Sequence, residues 1–263
     1  MDSFCDNIER ISYLARAESR VRVLNRLSTA EPVDRRELCA SLSLSRSAVV
    51  RAVDSLEERG WIAVEPDGVR LTPVGRLVIE EFLDLVGSIE TITDLAPFLE
   101  WFPLSEYDLD ATDLQDGTVT VALDGDPYAP AREHTNRIRT ADRFRALLPS
   151  IGQDAITEAH RGIVAGELES TLIVSPAVER RIQSDQFAPQ FEEMLSTGRL
   201  TVLVAESIPF FLGLADDRTT QIGVEDDDGL PRALLDTSNE RVRSWGEELF
   251  TDYRRSASDE IQL

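Results

Sequence analysis

Residues 45–72 leave few folds open to the chain, because one amphipathic helix is followed at once by two short strands. Four apolar residues recur at the i, i+3, i+4, i+7 spacing that gives a helix one buried face: Val49, Ala52, Val53 and Leu56. Ser45 precedes them as a helix N-cap, and Gly60 follows as a left-handed residue that ends the helix. Residues 61–64 and 69–72 then predict the two strands of a tight hairpin.

The flanking sequence extends this pattern to helix, helix, turn, helix, hairpin, helix over residues 19–82. Asp34, with Glu37 three residues later, predicts a capping box at the start of the second helix. Ser43 holds a turn position that is often taken by glycine. The order predicts a winged helix-turn-helix domain over residues 1–80.

The outward face of the predicted recognition helix, residues 45–59, carries side chains that can read DNA. Arginine bonds guanine through two donors, serine bonds base edges or phosphate, and a valine methyl contacts the thymine methyl. Residues 61–72 form the predicted wing, which brings a further arginine towards the flanking phosphates. The predicted DNA-binding residues are Ser45, Arg46, Ser47, Val50, Arg51 and Arg70. A winged helix that binds protein as an adaptor is the alternative.

The charge of the chain is strongly negative but unevenly distributed. The sequence holds 49 acidic residues and 27 basic ones, all of them arginine, for a net charge of −22. Residues 1–80 contribute only −1 of this total. Because the acidic residues are spread along the rest of the chain, we interpret them as the surface of a halophilic protein, with binding of basic partners as the alternative. Residues 226–228, DDD, then predict a solvated turn rather than a metal site.

A further helix is predicted after the hairpin, where Thr72 is a good N-cap and Pro73 suits the first helical position. Its apolar residues form a seam at 3-4-3 spacing: Ile79, Phe82, Leu83, Val86 and Ile89. The aromatic segment 95–103 also needs burial. Packing on the domain's own first helix and packing against a second copy both satisfy this need. Since helix-turn-helix proteins usually read two half-sites through two-fold symmetry, we expect a homodimer, with residues 81–110 as the connector and dimerisation helix.

From residue 111 to 263 the pattern changes to alternating strands and helices. Helices are predicted at 129–141, 153–166, 176–197 and 238–255. The predicted strands are residues 118–123, 143–148, 170–175, 200–205, 209–215, 220–225 and 232–237. This alternation predicts an α/β domain with several parallel strands and an antiparallel part. The whole chain is therefore expected to have two domains of mixed α+β and α/β class.

In such sheets small molecules bind beyond the carboxyl ends of the strands. Residues that follow predicted strand ends include Pro149, Ser150 and Ser207. The predicted ligand-binding residues are Asp126, Tyr128, Arg132, His134, Ser175 and Glu206. On this basis residues 111–263 are predicted to sense a small-molecule effector.

No catalytic motif and no cofactor site is predicted. The chain lacks G-x-S-x-G, Walker and GxGxxG sequences, and its two cysteines, Cys5 and Cys39, cannot form a zinc site alone. Cys39 suits close helix packing rather than reactivity or a disulfide. A hydrolase or nuclease that uses His134 and His160 is the enzymatic alternative. Without an apolar stretch of membrane-spanning length or a signal peptide, the chain is expected to be cytoplasmic.

Three segments, GWIAVEPDGVRLTPVGRLV, LAPFLEWFPL and DPYAPAREH, resemble a family of haloarchaeal winged-helix transcriptional regulators. The second half resembles the middle domain of an archaeal methanogenesis-filamentation regulator. The resemblance implies DNA binding by the first domain and a regulatory role for the second.

More distantly, the second half is similar to the phospholipase-D-like domain of the sugar-responsive TrmB regulators. An active phospholipase D site needs an H-x-K-x4-D motif, which a chain without lysine cannot supply. The distant resemblance therefore implies a degenerate domain that binds rather than hydrolyses.

Overall fold

A computed structural model describes residues 2–30, 32–226, 229–257 and 261. The chain divides into two compact units, Met1–Ile89 and Glu90–Leu263. The mixed class and the order of helices and sheet agree with the prediction from the sequence. The predicted bounds 1–80, 81–110 and 111–263 remain predictions.

The first unit contains helices packed around a two-stranded hairpin. The helices are α1 (Asp2–Ala15), α2 (Glu18–Thr29), α3 (Arg35–Ser41), α4 (Arg46–Glu58) and α5 (Pro73–Leu99), of which residues 73–89 belong to this unit. The strands are β1 (Ile62–Glu65) and β2 (Gly68–Leu71). The strands pair antiparallel, with Ile62 opposite Leu71. One apolar core joins α2, α4 and the hairpin, and it buries Leu24, Leu56 and Val69.

Local capping residues mark the ends of α4 and the start of α5 where the sequence predicts them. The Ser45 hydroxyl accepts a hydrogen bond from the Ala48 N–H at 3.2 Å, and Thr72 Oγ1 accepts one from the Gly75 N–H at 3.1 Å. Gly60 has a φ of +68° after α4. Ser43 has a φ of +51°, so a serine occupies the left-handed conformation that glycine adopts more easily.

The capping box predicted for the second helix is only half formed. Asp34 caps α3 by accepting from the Arg36 N–H at 2.7 Å. Glu37 does not return the bond but forms an ion pair with Arg26 at 2.7 Å. The guanidinium of α2 is a stronger partner for a carboxylate than a backbone N–H, and this explains the correction.

Helix α1 precedes residues 19–82, the segment for which the sequence predicts helices and a hairpin. Its Tyr13 hydroxyl donates to the Ser55 backbone oxygen at 2.9 Å. The Tyr13 ring meets the edge of Trp61 at 5.6 Å between centroids, and the guanidinium of Arg59 lies 3.7 Å from the centre of the same ring. Tyr13 therefore anchors helix α1 at the end of α4, and Leu14 of the same helix is buried in the core of the unit.

The second unit is built on a seven-stranded sheet. Its strands are β3 (Thr118–Val121), β4 (Arg143–Leu148), β5 (Glu169–Val174), β6 (Leu200–Val204), β7 (Phe211–Ala215), β8 (Thr219–Glu225) and β9 (Pro231–Thr237). The spatial order is β3-β9-β8-β7-β4-β5-β6. Strands β4, β5 and β6 are parallel and all other pairs are antiparallel, which confirms the predicted mixture. These pairings place the carboxyl ends of β3, β4, β5, β6 and β8 at one edge.

Helices cover both faces of this sheet. They are α6 (Ala129–Thr140), α7 (Gln153–Val164), α8 (Pro176–Ile182), α9 (Ala188–Ser196) and α10 (Glu240–Ser256). One core packs α6, α7 and α9 on the sheet, and a second core packs α10 on the other side. The single helix predicted for 176–197 is wrong, because Pro189 lacks the N–H needed inside a helix and instead lies in the first turn of α9.

The connector predicted at 81–110 is helical only as far as Leu99, and short 3-10 turns follow at Leu104–Glu106 and Ala111–Leu114. The aromatic segment is buried by the second unit itself, not by the first helix of the chain. Phe98 and Phe102 are buried, and Phe102 lies 5.2 Å from the Phe210 ring. Apolar burial of this segment therefore needs no second copy.

Candidate nucleic-acid interface and ligand cavity

One face of α4 is free of the core and carries the residues expected to contact DNA. Arg46, Ser47 and Arg51 are exposed, and Val50 is 38% exposed. They recur at i, i+1, i+4 and i+5, which places them on one stripe of the helix. Ser45 stands at the start of this stripe, with its hydroxyl 3.2 Å from that of Ser47.

The electrostatics of this stripe favour an anion. Within the described part of the chain, neither Arg46 nor Arg51 forms an ion pair. The first turn of α4 contains no acidic residue, so the backbone N–H groups and positive dipole end of the helix are not offset by carboxylates. Two uncommitted guanidinium groups therefore lie beside a helix N-terminus.

Arg70, the predicted wing contact, is already paired with carboxylates. Its guanidinium lies 2.8 Å from the Asp67 carboxylate and 3.1 Å from that of Glu65, both in the same hairpin. A DNA phosphate would have to compete with these two carboxylates for Arg70. The hairpin is thus a weaker anion site than α4.

The second unit contains a cavity of about 530 Å³ between α6, α7 and the face of the sheet that they cover. Its interior is mainly apolar, with side chains such as Ile138, Leu148 and Met194. Near the carboxyl ends of β4 and β8 two apolar side chains of the lining are exposed: Tyr128 by 62% and Leu230 by 48%. A concave, apolar site of this size is typical of small-molecule binding.

A chain of hydrogen bonds fixes the histidine of the cavity. Arg137 binds the Asp236 carboxylate through two nitrogens, at 2.8 and 3.2 Å. The Gln221 Nε2 donates to Asp236 at 2.9 Å, and the Gln221 Oε1 lies 3.3 Å from Nδ1 of His134. Burial lowers the pKa of His134 to about 4, outweighing the opposite effect of the Gln221 hydrogen bond. The imidazole is therefore neutral near pH 7.

A second polar pair lies at the same edge of the sheet. The Ser150 hydroxyl donates to Oε1 of Glu225, and both residues line the cavity. Burial raises the pKa of Glu225, while the serine hydrogen bond opposes this shift. The pair gives the cavity a polar corner in which burial favours the uncharged form of Glu225.

Three of the predicted ligand residues line this cavity and three do not. Tyr128, Arg132 and His134 belong to the lining. Asp126 lies outside it and pairs with Arg132. Ser175 caps α8 by accepting from the Val178 N–H at 3.3 Å, and Glu206 is exposed beyond β6.

Sequence reasoning missed Gln221 and Glu225. Gln221 is fully buried in β8, and a long polar side chain directly before the apolar run Ile222–Val224 was the available signal. Asp227 and Asp228 of the predicted DDD turn lie outside the described residues. So does the side chain of Cys5, while Cys39 is half-buried and has a free thiol.

The two histidines belong to separate sets of contacts. His160 Nε2 pairs with the Glu193 carboxylate at 2.7 Å, whereas His134 bonds Gln221. Among the described residues no group of three or more side chains could hold a metal ion. None of the described helices is long and apolar enough to span a membrane.

Two family matches cover most of the chain. Residues 8–94 match the HVO_A0261 N-terminal domain. Residues 127–256 match the middle domain of the methanogenesis regulatory protein FilR1. No curated protein matches the chain significantly.

Solved structures similar to the chain have low identity. TrmBL2, an archaeal chromatin protein described as showing a novel mode of DNA binding, is 15% identical, with a TM-score of 0.43 and coverage of 96% of this chain and 99% of that one. Nuc of Salmonella typhimurium, a phospholipase D family member, is 11% identical, with a TM-score of 0.44 over 56% of this chain and 99% of that one. NucT of Helicobacter pylori is 12% identical, with a TM-score of 0.43 over 54% and 98%.

Proposed function

We propose that the chain, which matches the HVO_A0261 N-terminal domain and the FilR1 middle domain, is a sequence-specific transcriptional regulator. In this proposal residues 45–59 are the recognition helix and residues 61–72 are the wing. The observation that carries it is the pair of exposed arginines, Arg46 and Arg51, which form no ion pair with a described residue beside the N-terminus of α4.

Short-range contacts have to supply most of the affinity. A net charge of −22 repels DNA at a distance, but in molar salt the Debye length is only about 3 Å. Counterion release, which normally drives binding, also loses its force at high salt. Direct hydrogen bonds and apolar contacts remain effective under these conditions, and the residues proposed to make them are Ser45, Arg46, Ser47, Val50 and Arg51. Arg70 contributes less because it is already paired with two carboxylates.

We also propose that the regulator is a homodimer. Several apolar side chains of α5 within the first unit are exposed: Val74, Leu77, Leu85 and Val86. Exposed apolar side chains spread over one side of a helix are the kind of surface that a second copy covers. A dimer would present two α4 helices to two half-sites of an operator.

The second unit is proposed to bind an effector rather than to catalyse a reaction. Its cavity offers apolar surface, a neutral imidazole and a hydroxyl–carboxyl pair, a set of groups that suits binding. The proposed binding residues are Tyr128, Arg132 and His134, joined by Ser150 and Glu225. Asp126 supports Arg132 from outside the cavity.

The decisive variant is Arg51→Ala. Loss of a bidentate base contact costs about 1–3 kcal/mol, so we expect Kd for a selected site to rise roughly 5- to 150-fold and the base preference to relax. Sites would be selected from a random duplex library by the full chain in molar KCl, and Kd measured by fluorescence anisotropy. Repeating the titration over a range of KCl concentrations should give a shallow or inverted slope.

Arg254→Ala is the matched control, because it removes the same charge from the exposed face of α10 in the second unit. It should leave both the affinity and the base preference unchanged. If Arg51→Ala and Arg254→Ala weaken binding equally, α4 does not read the operator. Selection that yields no preferred sequence would contradict the regulator proposal as a whole.

A further inference from the structure

The cavity of the second unit is large enough to take a whole small molecule. Its volume of about 530 Å³ lies within the roughly 300–1,000 Å³ of typical ligand sites. The interior walls come from α6, α7 and α9, with side chains such as Ile138, Ile156, Phe191 and Met194. An occupant of this space is mostly in contact with hydrocarbon.

Two glycines in the sheet make room for the rings that hold His134. A Cβ at Gly213 would lie 2.8 Å from Phe211 and 2.9 Å from Phe144, and a Cβ at Gly223 would lie 2.9 Å from Phe211. The rings of Phe211 and Phe144 lie 4.5 and 5.6 Å from the His134 ring. The imidazole is therefore held between aromatic surfaces in a fixed position.

The hydrogen-bond chain decides which nitrogen of His134 carries the proton. Asp236 is a carboxylate paired with Arg137, and a carboxylate can only accept hydrogen bonds. The group of Gln221 that faces it is therefore the NH2 group, which donates. The carbonyl oxygen of Gln221 then faces Nδ1 of His134, and an oxygen can only accept. Nδ1 is therefore protonated, and Nε2 of the neutral ring keeps its lone pair. Nε2 accepts no hydrogen bond from a described residue.

The charged groups around the cavity are arranged against an ionic ligand. Arg132 is paired with Asp126 outside the lining, and Arg181 is exposed with its guanidinium 5.3 Å from the Phe187 ring. Glu225 bonds Ser150, and burial favours its uncharged form. Of these two lining arginines, Arg132 is already paired and Arg181 is exposed to solvent, so the cost of burying a phosphate or carboxylate among the apolar walls would not be offset.

We infer that the cavity binds an uncharged, mainly apolar molecule that carries a hydroxyl or N–H group, and that this group donates a hydrogen bond to Nε2 of His134. The inference rests on the proposed effector-sensing role of the second unit and adds the chemical class of the effector. It also assigns His134 as the residue that selects a donor over an ether or a hydrocarbon. The apolar walls select for size and low polarity.

A matched set of probes tests this assignment: 2-naphthol, its methyl ether 2-methoxynaphthalene, and the anion 2-naphthoate. Each is titrated into the full chain at neutral pH in molar KCl and followed by calorimetry. We expect 2-naphthol to bind about tenfold more tightly than the ether, the equivalent of one buried hydrogen bond. The anion should bind more weakly than either.

His134→Phe keeps an aromatic ring between Phe144 and Phe211 but removes the acceptor. In this variant the preference for 2-naphthol over the ether should fall below about twofold, because the hydrogen bond is lost and the apolar contacts remain. Equal binding of the alcohol and the ether to the unmodified chain would overturn the role of His134. Tightest binding by 2-naphthoate would overturn the exclusion of anions.

Ala159→Phe fills the cavity from α7, since Ala159 belongs to its lining. It should abolish binding of 2-naphthol, whereas Val164→Phe on the exposed side of the same helix should not. Equal binding by the two variants would place the ligand elsewhere. No binding of any probe to the unmodified chain would overturn the inference itself.

Operator binding is measured on the same preparations, so the two proposals fail separately. Operator binding without probe binding would remove the inference and leave the regulator proposal standing. Probe binding by a chain that selects no DNA sequence would do the reverse.

Discussion

His134 and His160 show how strongly the surroundings decide what one residue type does. His134 is half-buried and packs against Gln221, Phe144 and Phe211, and desolvation of its ring lowers its pKa to about 4. His160 lies on α7 with its Nε2 against the carboxylate of Glu193. The first can act as a neutral hydrogen-bond acceptor in an apolar space, while the second is bound to a carboxylate of α9.

The depressed pKa of His134 predicts a stability that depends on pH. Since the ordinary pKa of histidine is 6.5, the unfolded chain takes up a proton between about pH 6.5 and 4 that the folded chain does not. The free energy of unfolding should therefore fall as the pH falls through this window. The contribution is complete above pH 6.5 and amounts to at most about 3 kcal/mol.

His134→Phe isolates this effect, because it removes the titrating ring and leaves its neighbours. Those neighbours include Glu225, whose raised pKa acts in the opposite direction, and Arg132, Arg137 and Asp236. Denaturant titrations from pH 7 to pH 4 should show the unmodified chain losing stability relative to the variant. A difference that stays constant across this range would contradict the assigned burial of His134.

At the scale of elements, the junction of hairpin and helix in the first unit depends on one close approach. Gly75 lies in the first turn of α5, where its N–H donates to Thr72. A Cβ at this position would lie 2.7 Å from the carbonyl carbon of Trp61 and would overlap the carbonyl oxygen. The turn between wing and helix can therefore close only around a residue without a side chain.

Gly75→Ala should lower the free energy of unfolding of the first unit by more than about 2 kcal/mol, because backbone has to move. Gly87→Ala in the same helix is the control, since a Cβ there has nothing within 4 Å. That change should stabilise α5 by about 0.5–1 kcal/mol through helix propensity. Denaturant unfolding in molar KCl compares the two, and equal effects would show that the close approach is absent.

Elements with strong local signals were predictable from sequence. The caps at Ser45 and Thr72 and the left-handed Gly60 depend on neighbours within a few residues, and all three were predicted. Helix α1 was not, because its main attachment is the distant contact of Tyr13 with Ser55. The break between α8 and α9 follows from Pro189, and the apolar periodicity across it gave the wrong continuous helix.

At the scale of the whole molecule, the sheet order explains what sequence could not supply. The strand types were predictable from periodicity, but β8 lies between β7 and β9 only because two antiparallel pairings form there. This order brings Gln221 within 3.3 Å of His134, which is 87 residues away. Gln221 therefore contacts His134 because of the order of the strands, and no local sequence pattern predicts that order.

The proposed dimer leads to a prediction for the intact chain. Sedimentation equilibrium in molar KCl at micromolar concentration should give twice the chain mass. Val86→Glu should shift the chain to monomer, because a carboxylate would be buried between copies, and the monomer should remain folded since Val86 is 45% exposed. Val164→Glu, an equal change on α7, should remain dimeric. A monomeric unmodified chain would contradict the proposal.

The two histidines can also serve as spectroscopic labels, because their surroundings differ. The chain contains no other histidine, so nitrogen-15 labelling of the imidazoles would give one set of signals from the cavity and one from α7. The cavity set would respond to an occupant that bonds Nε2. Occupancy could then be read from the spectrum without altering the protein.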